Sequence, residues 1–198
     1  ISCPANITVN TDFNKCSAVV NYLTPVGMDN CSNITTIRTS GLASGSTFPT
    51  GITTNTFVVT DNNGRTSSCS FNVTVVDNQV PSIICPGNIT VALNNSCQLV
   101  VPNLSTSISS TDNCPSTMVT QSPIAGTIIP SSHNQTQAIT FTVTDGVGLT
   151  ATCNTIITSI DNVGPDIVCE GFRVISISDL PELTASSFVI SANDNCSG

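Results

Sequence analysis

The sequence predicts an all-β protein made of tandem antiparallel sandwiches stapled by disulfides, and three observations carry that expectation. The layout D-N-x-x-P-x-I-x-C occupies Asp77 to Cys85 and returns from Asp161 to Cys169, so the chain is a tandem array. Short runs of alternating polar and β-branched residues recur between Gly, Pro, Asn and Asp clusters, with no helical period. Ten cysteines accompany them, none in a C-x-x-C arrangement, which argues for disulfides over zinc or thioredoxin-like chemistry.

Composition narrows the functional classes. The 198 residues divide into a repeat over 1–79, a second over 80–163, and the N-terminal part of an incomplete third over 164–198. A unit this small buries a modest share of its surface, so covalent staples complement its core and the compartment is expected to be oxidising. Four basic residues face twelve acidic ones, which leaves no cationic surface for phosphates and excludes nucleic acid as a partner. Thr, Ser and Asn supply the polar faces instead. No apolar run is long enough to predict a membrane span, and no basic-then-apolar leader opens the segment.

The elements follow in order. Cys3-Pro4-Ala5-Asn6-Ile7-Thr8-Val9 and Cys85-Pro86-Gly87-Asn88-Ile89-Thr90-Val91 alternate as half-buried strands do. Second strands are expected at Cys16 to Tyr22 and Cys97 to Val101. An Asp-Asn-Cys triplet comes next, at Asp29-Asn30-Cys31, Asp112-Asn113-Cys114 and Asp194-Asn195-Cys196, with a period of roughly 83 residues. A third strand is placed around Thr35 to Thr39. Phe48-Pro49-Thr50-Gly51 leads into Thr56-Phe57-Val58-Val59-Thr60-Asp61, which Ile139 to Asp145 answers in the second repeat. There Ile139, Phe141 and Val143 should face the core and Thr140, Thr142 and Thr144 the water. A Gly-containing turn precedes the last strand, Cys69 to Val75 or Cys153 to Ile157. Six or seven short strands per unit point to a two-sheet sandwich of immunoglobulin-like type, although the chain has no Trp to fill the place of the buried antibody tryptophan.

In sequence order the residues read C-P-x-N-I-T-V, D-N-C, F-P-x-G-x-T, T-D-x-x-G and C-S-F-x-V-x-V-x-D, a series that resembles the hyalin repeat (HYR domain) family. The first repeat carries every element. The second departs at Ile129-Pro130-Ser131-Ser132, where the Phe and Gly are missing, and the third matches at Pro165, Cys169 and Asp194-Asn195-Cys196. The resemblance implies immunoglobulin-like sandwiches arrayed in extracellular and cell-surface proteins, linked to adhesion and without enzyme activity.

Four cysteines per repeat allow three pairings. Because first and last strands of such sandwiches often lie side by side, Cys3 is paired with Cys69 and Cys85 with Cys153, which leaves Cys16 for Cys31 and Cys97 for Cys114. Each shorter link closes a loop of about 15 residues, worth ~3 kcal/mol in the chain-entropy model. The third repeat has no cysteine near Pro181 but retains Cys196, so the partners of Cys169 and Cys196 stay open.

No catalytic constellation emerges. His133, the one histidine, lies in a Ser-rich loop without a nucleophile elbow and reads as a surface residue. The Asp-Asn hinges resemble oxygen-rich linkers that calcium stiffens, and Asp77, Asp112 and Asp145, or Asp161 and Asp194, are the carboxylates such an ion would use. The competing reading is that these residues end strands as capped turns, since no dense D-x-D-x-D loop is present. Sequons mark Asn6, Asn33, Asn72, Asn88, Asn94, Asn103 and Asn134 as glycosylation candidates, with Asn30 and Asn195 crowded by a neighbouring cysteine.

The expected function is a non-catalytic structural segment of a long, secreted or surface-held protein, a stalk, fibre or adhesin. Its partners are neighbouring repeats, other copies through strand edges, and covalent glycans. The alternative is a module that recognises a protein or glycan through its end loops, for which an exposed aromatic or charged cluster would be the signature.

Overall fold

A computed structural model describes residues 1–30, 34–169 and 189–196. The first repeat runs through strands β1 (Ile7–Asn10), β2 (Ser17–Val20), β3 (Thr35–Ser40), β4 (Ser46–Pro49), β5 (Gly51–Thr60) and β6 (Thr66–Val76). They form a four-stranded sheet in the order β1-β6-β5-β3 and a two-stranded sheet β2-β4. β1 lies parallel to β6, with Ile7 opposite Val73, whereas β5 and β6 pair antiparallel along ten positions from Gly51 opposite Val75 to Thr60 opposite Thr66.

Alternation builds the core. Phe71, Val73 and Val75 of β6 point inward with Phe57 of β5, and Ala18, Val20 and Phe48 of the second sheet close over them. Tyr22 sets its ring edge-on to Phe48, Phe57 and Phe71, at centroid distances of 6.5, 6.4 and 5.0 Å. It thus supplies an aromatic centre in a chain that has no Trp. Its hydroxyl donates to the Leu42 carbonyl, which satisfies the polar end. Gly41 has φ +84°, and a Cβ there would meet the Asn55 side chain at 2.1 Å. Asn55 is fully buried and accepts the Leu42 N–H at 2.7 Å, so this close approach needs glycine.

Burial raises the pKa of the Tyr22 phenol from its ordinary 10.0, against opposing pulls from the Arg38 charge and a hydrogen bond with the Ser44 backbone. The folded value exceeds the unfolded one, so the associated stability is intact below the unfolded value and is lost as pH rises through the folded one. Since the chain has a single tyrosine, an ultraviolet titration reads this group alone. We expect a midpoint above 10.0 in the folded chain that returns to the ordinary value in denaturant; equal midpoints would contradict the burial described.

The second repeat runs through β7 (Ser82–Ile84), β8 (Ile89–Ala92), β9 (Gln98–Val100), a single 3-10 turn (Ser105–Ser107), β10 (Ser109–Thr111), β11 (Met118–Ser122), β12 (Ile128–Pro130), β13 (Thr136–Thr144) and β14 (Thr150–Ile160). Its large sheet has the order β11-β13-β14-β8, and β9 pairs with β12. β8 is parallel to β14, with Ile89 opposite Ile157, as β1 is to β6. Ile139, Phe141 and Val143 are fully buried with Leu99 and Ile157. In the third repeat β15 (Asp166–Cys169) pairs antiparallel with β16 (Val189–Asn193).

The missing Phe of the second repeat has a packing reason. Phe48 stands opposite Ala18 in the β2-β4 pair, whereas Ile129 stands opposite Leu99 in the β9-β12 pair. A large residue facing a small one is exchanged for two branched aliphatic residues, which keeps the number of side-chain carbons in the pair the same.

Backbone proximity divides the chain into two compact units: Ile1–Ile83 with Ser110–Val119 and Val143–Ala151, and Ile84–Ser109 with Thr120–Thr142 and Thr152–Gly198. These borders differ from the sequence repeats. The Asp-Asn-Cys turn and the Asp145 turn of the second repeat fall in the first unit.

Candidate functional site

Two constellations stand out: cysteine links that recur with the repeat, and a cluster of acidic turns. Cys3 is bonded to Cys69 with Cα atoms 5.6 Å apart, and Cys85 to Cys153 at 5.9 Å. Each bond flanks the parallel pairing of a repeat's first and last strands. The other two pairings correct the sequence expectation of Cys16–Cys31 and Cys97–Cys114. Cys16 is instead bonded to Cys114, and Cys97 to Cys196, at sequence separations of 98 and 99. The second-strand cysteine of one repeat thus takes the Asp-Asn-Cys cysteine of the next.

The local hydrogen bonds explain the choice. Cys16 follows a tight turn closed by the Lys15 N–H on the Asp12 carbonyl. The Asn113 amide donates both to the Lys15 carbonyl and to Asp77 Oδ1, at 3.0 Å each. The triplet is thereby held against the turn, with the Cys16 and Cys114 Cα atoms 4.6 Å apart. A usable signal lay in the third repeat, which lacks a second-strand cysteine but keeps Cys196. Cys31 lies outside the described residues, and Cys169 is exposed and unpaired among them.

Three turns bring Asp77, Asp112 and Asp145 together, with one carboxylate oxygen from each within 4.8 Å of the others. All belong to the first compact unit. Asp77 and Asp145 are 6% and 7% exposed. In each acid one oxygen is committed to the backbone. Asp145 Oδ1 accepts the N–H groups of Val147 and Leu149 at 2.9 and 2.8 Å, and Asp112 Oδ2 accepts Cys114 N–H at 3.0 Å. Asp77 Oδ1 accepts Gln79 N–H at 3.2 Å in addition to the Asn113 amide. The capped-turn reading and the convergence therefore both describe these residues.

What the turns leave over is chemically informative. Asp112 Oδ1, Asn113 Oδ1 and Asp145 Oδ2 are buried acceptors with no hydrogen-bond partner. Asn113 was absent from the sequence-based set because an amide beside a cysteine carries no metal signature by itself. Among the described residues Asp161 and Asp194 join no such triple, although each repeats its counterpart's turn: Asp161 Oδ1 accepts Val163 N–H at 3.1 Å and Asp194 Oδ1 accepts Cys196 N–H at 2.9 Å.

The remaining candidates have plainer positions. His133 accepts the Asp161 N–H through Nδ1 at 3.0 Å. Asn6 and Asn88 are exposed, and their side-chain oxygens accept the N–H of Asn72 and Ile156, which gives the Asn of C-P-x-N a role in fixing the parallel strand pair. Asn72 is half-buried, Asn94 caps its turn by accepting from Ser96 and Gln98, and Asn103 and Asn134 are exposed. Asn33 lies outside the described residues. Phe48, Phe57, Phe71 and Phe141 are core residues, while Phe13 is 82% exposed.

A family model described as HYR domain matches residues 1–75. Hyalin of Strongylocentrotus purpuratus is 30% identical over 210 residues, an alignment that takes in 98% of this chain and 17% of hyalin. The chain thus spans about a sixth of that relative's length. Among solved structures, Drosophila N-cadherin EC1-3 aligns with a TM-score of 0.44 at 12% identity, over 83% of this chain and 66% of that one. Human mucin-like protocadherin EC1-2 aligns at 0.40 and 11%, over 79% and 96%. The first repeat, residues 1–75, thus belongs to the HYR domain family.

Proposed function

We propose that this segment is a non-catalytic structural repeat of a long extracellular or cell-surface protein, serving as a stalk, fibre or adhesin. The HYR match and the hyalin relative support an extracellular, adhesion-type module. One observation carries the structural role: Cys16–Cys114 and Cys97–Cys196 each join a second strand to the Asp-Asn-Cys turn of the following repeat. A chain whose consecutive repeats, taken as 1–79, 80–163 and 164–198, are cross-linked in this way suits length and stiffness better than chemistry. Such bonds require an oxidising compartment, which fits a secreted or surface-held protein. Neighbouring repeats are the first partners, and strand edges offer a route to other copies.

Electron microscopy of the native material, with non-reducing peptide mapping of the same sample, tests this reading. Long, regular fibres or rods carrying intrachain links between consecutive repeats are the expected result. Flexible, isolated beads with reduced cysteines would overturn the structural role and leave recognition through end loops as the reading to pursue.

A further inference from the structure

We propose that Asp77, Asp112, Asn113 and Asp145 form a binding site for a hard divalent cation of the calcium class. The inference is independent of the stalk reading, since an array can be a stalk without bound ions and this turn cluster can hold an ion in any array. Two observations of different kinds meet here. Three carboxylates approach within 4.8 Å, an arrangement that like-charge repulsion opposes and that a cation among them would stabilise. Separately, three buried oxygens, Asp112 Oδ1, Asn113 Oδ1 and Asp145 Oδ2, have no hydrogen-bond donor. In folded proteins buried polar atoms are paired as a rule, so three orphaned acceptors in one place point to a missing positive partner.

Ligand chemistry selects the ion. The donors are carboxylate and amide oxygens, and the nearby cysteine, Cys114, is tied up in a disulfide. Oxygen-only sets favour calcium, magnesium or manganese over zinc or copper. The ligands are also preorganised: the backbone N–H groups of Val147, Leu149 and Cys114 occupy the outer oxygens and turn the free ones inward. Two open clefts reach the cluster, one of about 380 Å³ beside Gln79, Thr111 and Asp112, the other of about 210 Å³ beside Asp77, Cys114 and Gly146. They give an ion a route in and leave room for the waters that complete a shell of six to eight oxygens.

The arrangement is written into the repeat. One acid comes from the hinge, one from the Asp-Asn-Cys triplet and one from the T-D-x-x-G turn, so each junction of such an array encodes the same set. Asp161 and Asp194 are the first two members at the next junction.

The test uses the full chain, stripped with EDTA and titrated with CaCl2, then MgCl2, by calorimetry and by thermal melts followed through Tyr22 fluorescence. Asp145→Asn retains the Oδ1 acceptor of its turn and replaces the free oxygen with an amide. Asp112→Asn is the second variant, in case the first does not fold. Calcium should bind the wild-type chain and raise its Tm by about 5 °C or more at saturation. Asp145→Asn or Asp112→Asn should weaken binding at least about tenfold while melting no lower than wild type in EDTA, because a repelling charge has gone. Absence of binding and of any melt shift at about 10 mM calcium, above the usual range for extracellular modules, would overturn the proposal. So would folded variants that bind as tightly as wild type. Neither result bears on whether the native material forms fibres.

Discussion

Phe48→Ala should destabilise the first repeat by about 3–5 kcal/mol, the usual range for deleting a buried phenylalanine. Phe48 has no exposed surface and is the one aromatic residue that the β2-β4 sheet contributes to the core. It stands opposite Ala18 and meets the edge of Tyr22, so its removal places alanine against alanine with an aromatic ring facing the void. A ten-position antiparallel pairing holds the other sheet in place, which limits how far the gap can collapse. Denaturant unfolding followed by Tyr22 fluorescence measures the effect, since the chain has one Tyr and no Trp. A loss below about 1 kcal/mol would mean that the sheets close over the gap and that the packing described here is looser than its burial indicates. The paired substitution Phe48→Ile with Ala18→Leu, which copies the second repeat, should recover most of the loss.

The double substitution Cys16→Ser, Cys114→Ser should cost about 4–5 kcal/mol, because the two cysteines stand 98 residues apart in sequence and the chain-entropy gain grows with loop length. The substitution also frees the Asp-Asn-Cys turn, leaving only the Asn113 amide to tether it to Lys15 and Asp77. The same Tyr22-monitored unfolding reads the change, and non-reducing peptide mapping must first recover the Cys16–Cys114 peptide from wild type. An unchanged midpoint would show that the link ties together parts already held by packing. Recovery of a Cys16–Cys31 peptide would reinstate the local pairing.

How much was legible depended on the range of the physics involved. Alternation is a local property, and it placed Ile139, Phe141 and Val143 on the buried side of β13 without any knowledge of their neighbours. The positions of Cys3 and Cys69 beside the first and last strands also follow from the order of elements within one sandwich. The links of Cys16 and Cys97 do not, because their partners stand in the following repeat and nothing in a single unit distinguishes a near cysteine from one 98 residues away. Asp77, Asp112 and Asp145 could be read as acids at hinges and turns, but their convergence depends on three loops of distant sequence. Asn113 was invisible because an amide beside a cysteine carries no metal signature by itself. The missing Phe at Ile129 is visible in the sequence as a departure from the repeat, but its pairing with Leu99 is revealed only by the register of β9 and β12.

The bonds Cys3–Cys69 and Cys85–Cys153 also determine how such a chain bears tension. Force applied at the N-terminus reaches Cys3, crosses the sulfurs to Cys69, follows the backbone to Cys85 and crosses again to Cys153 on its way to Cys169. The stretches from Pro4 to Ser68 and from Pro86 to Thr152 lie off this shortest covalent route and are tied to each other by Cys16–Cys114. Only the last strand and hinge of each repeat can be drawn out, a reserve of roughly 55 Å of extended chain per repeat before covalent bonds take the strain. Because the last strand of the first repeat lies between β1 and β5 and carries Phe71, Val73 and Val75, drawing it out would dismantle that core, so the packing of the sandwich is what resists the first extension of this route.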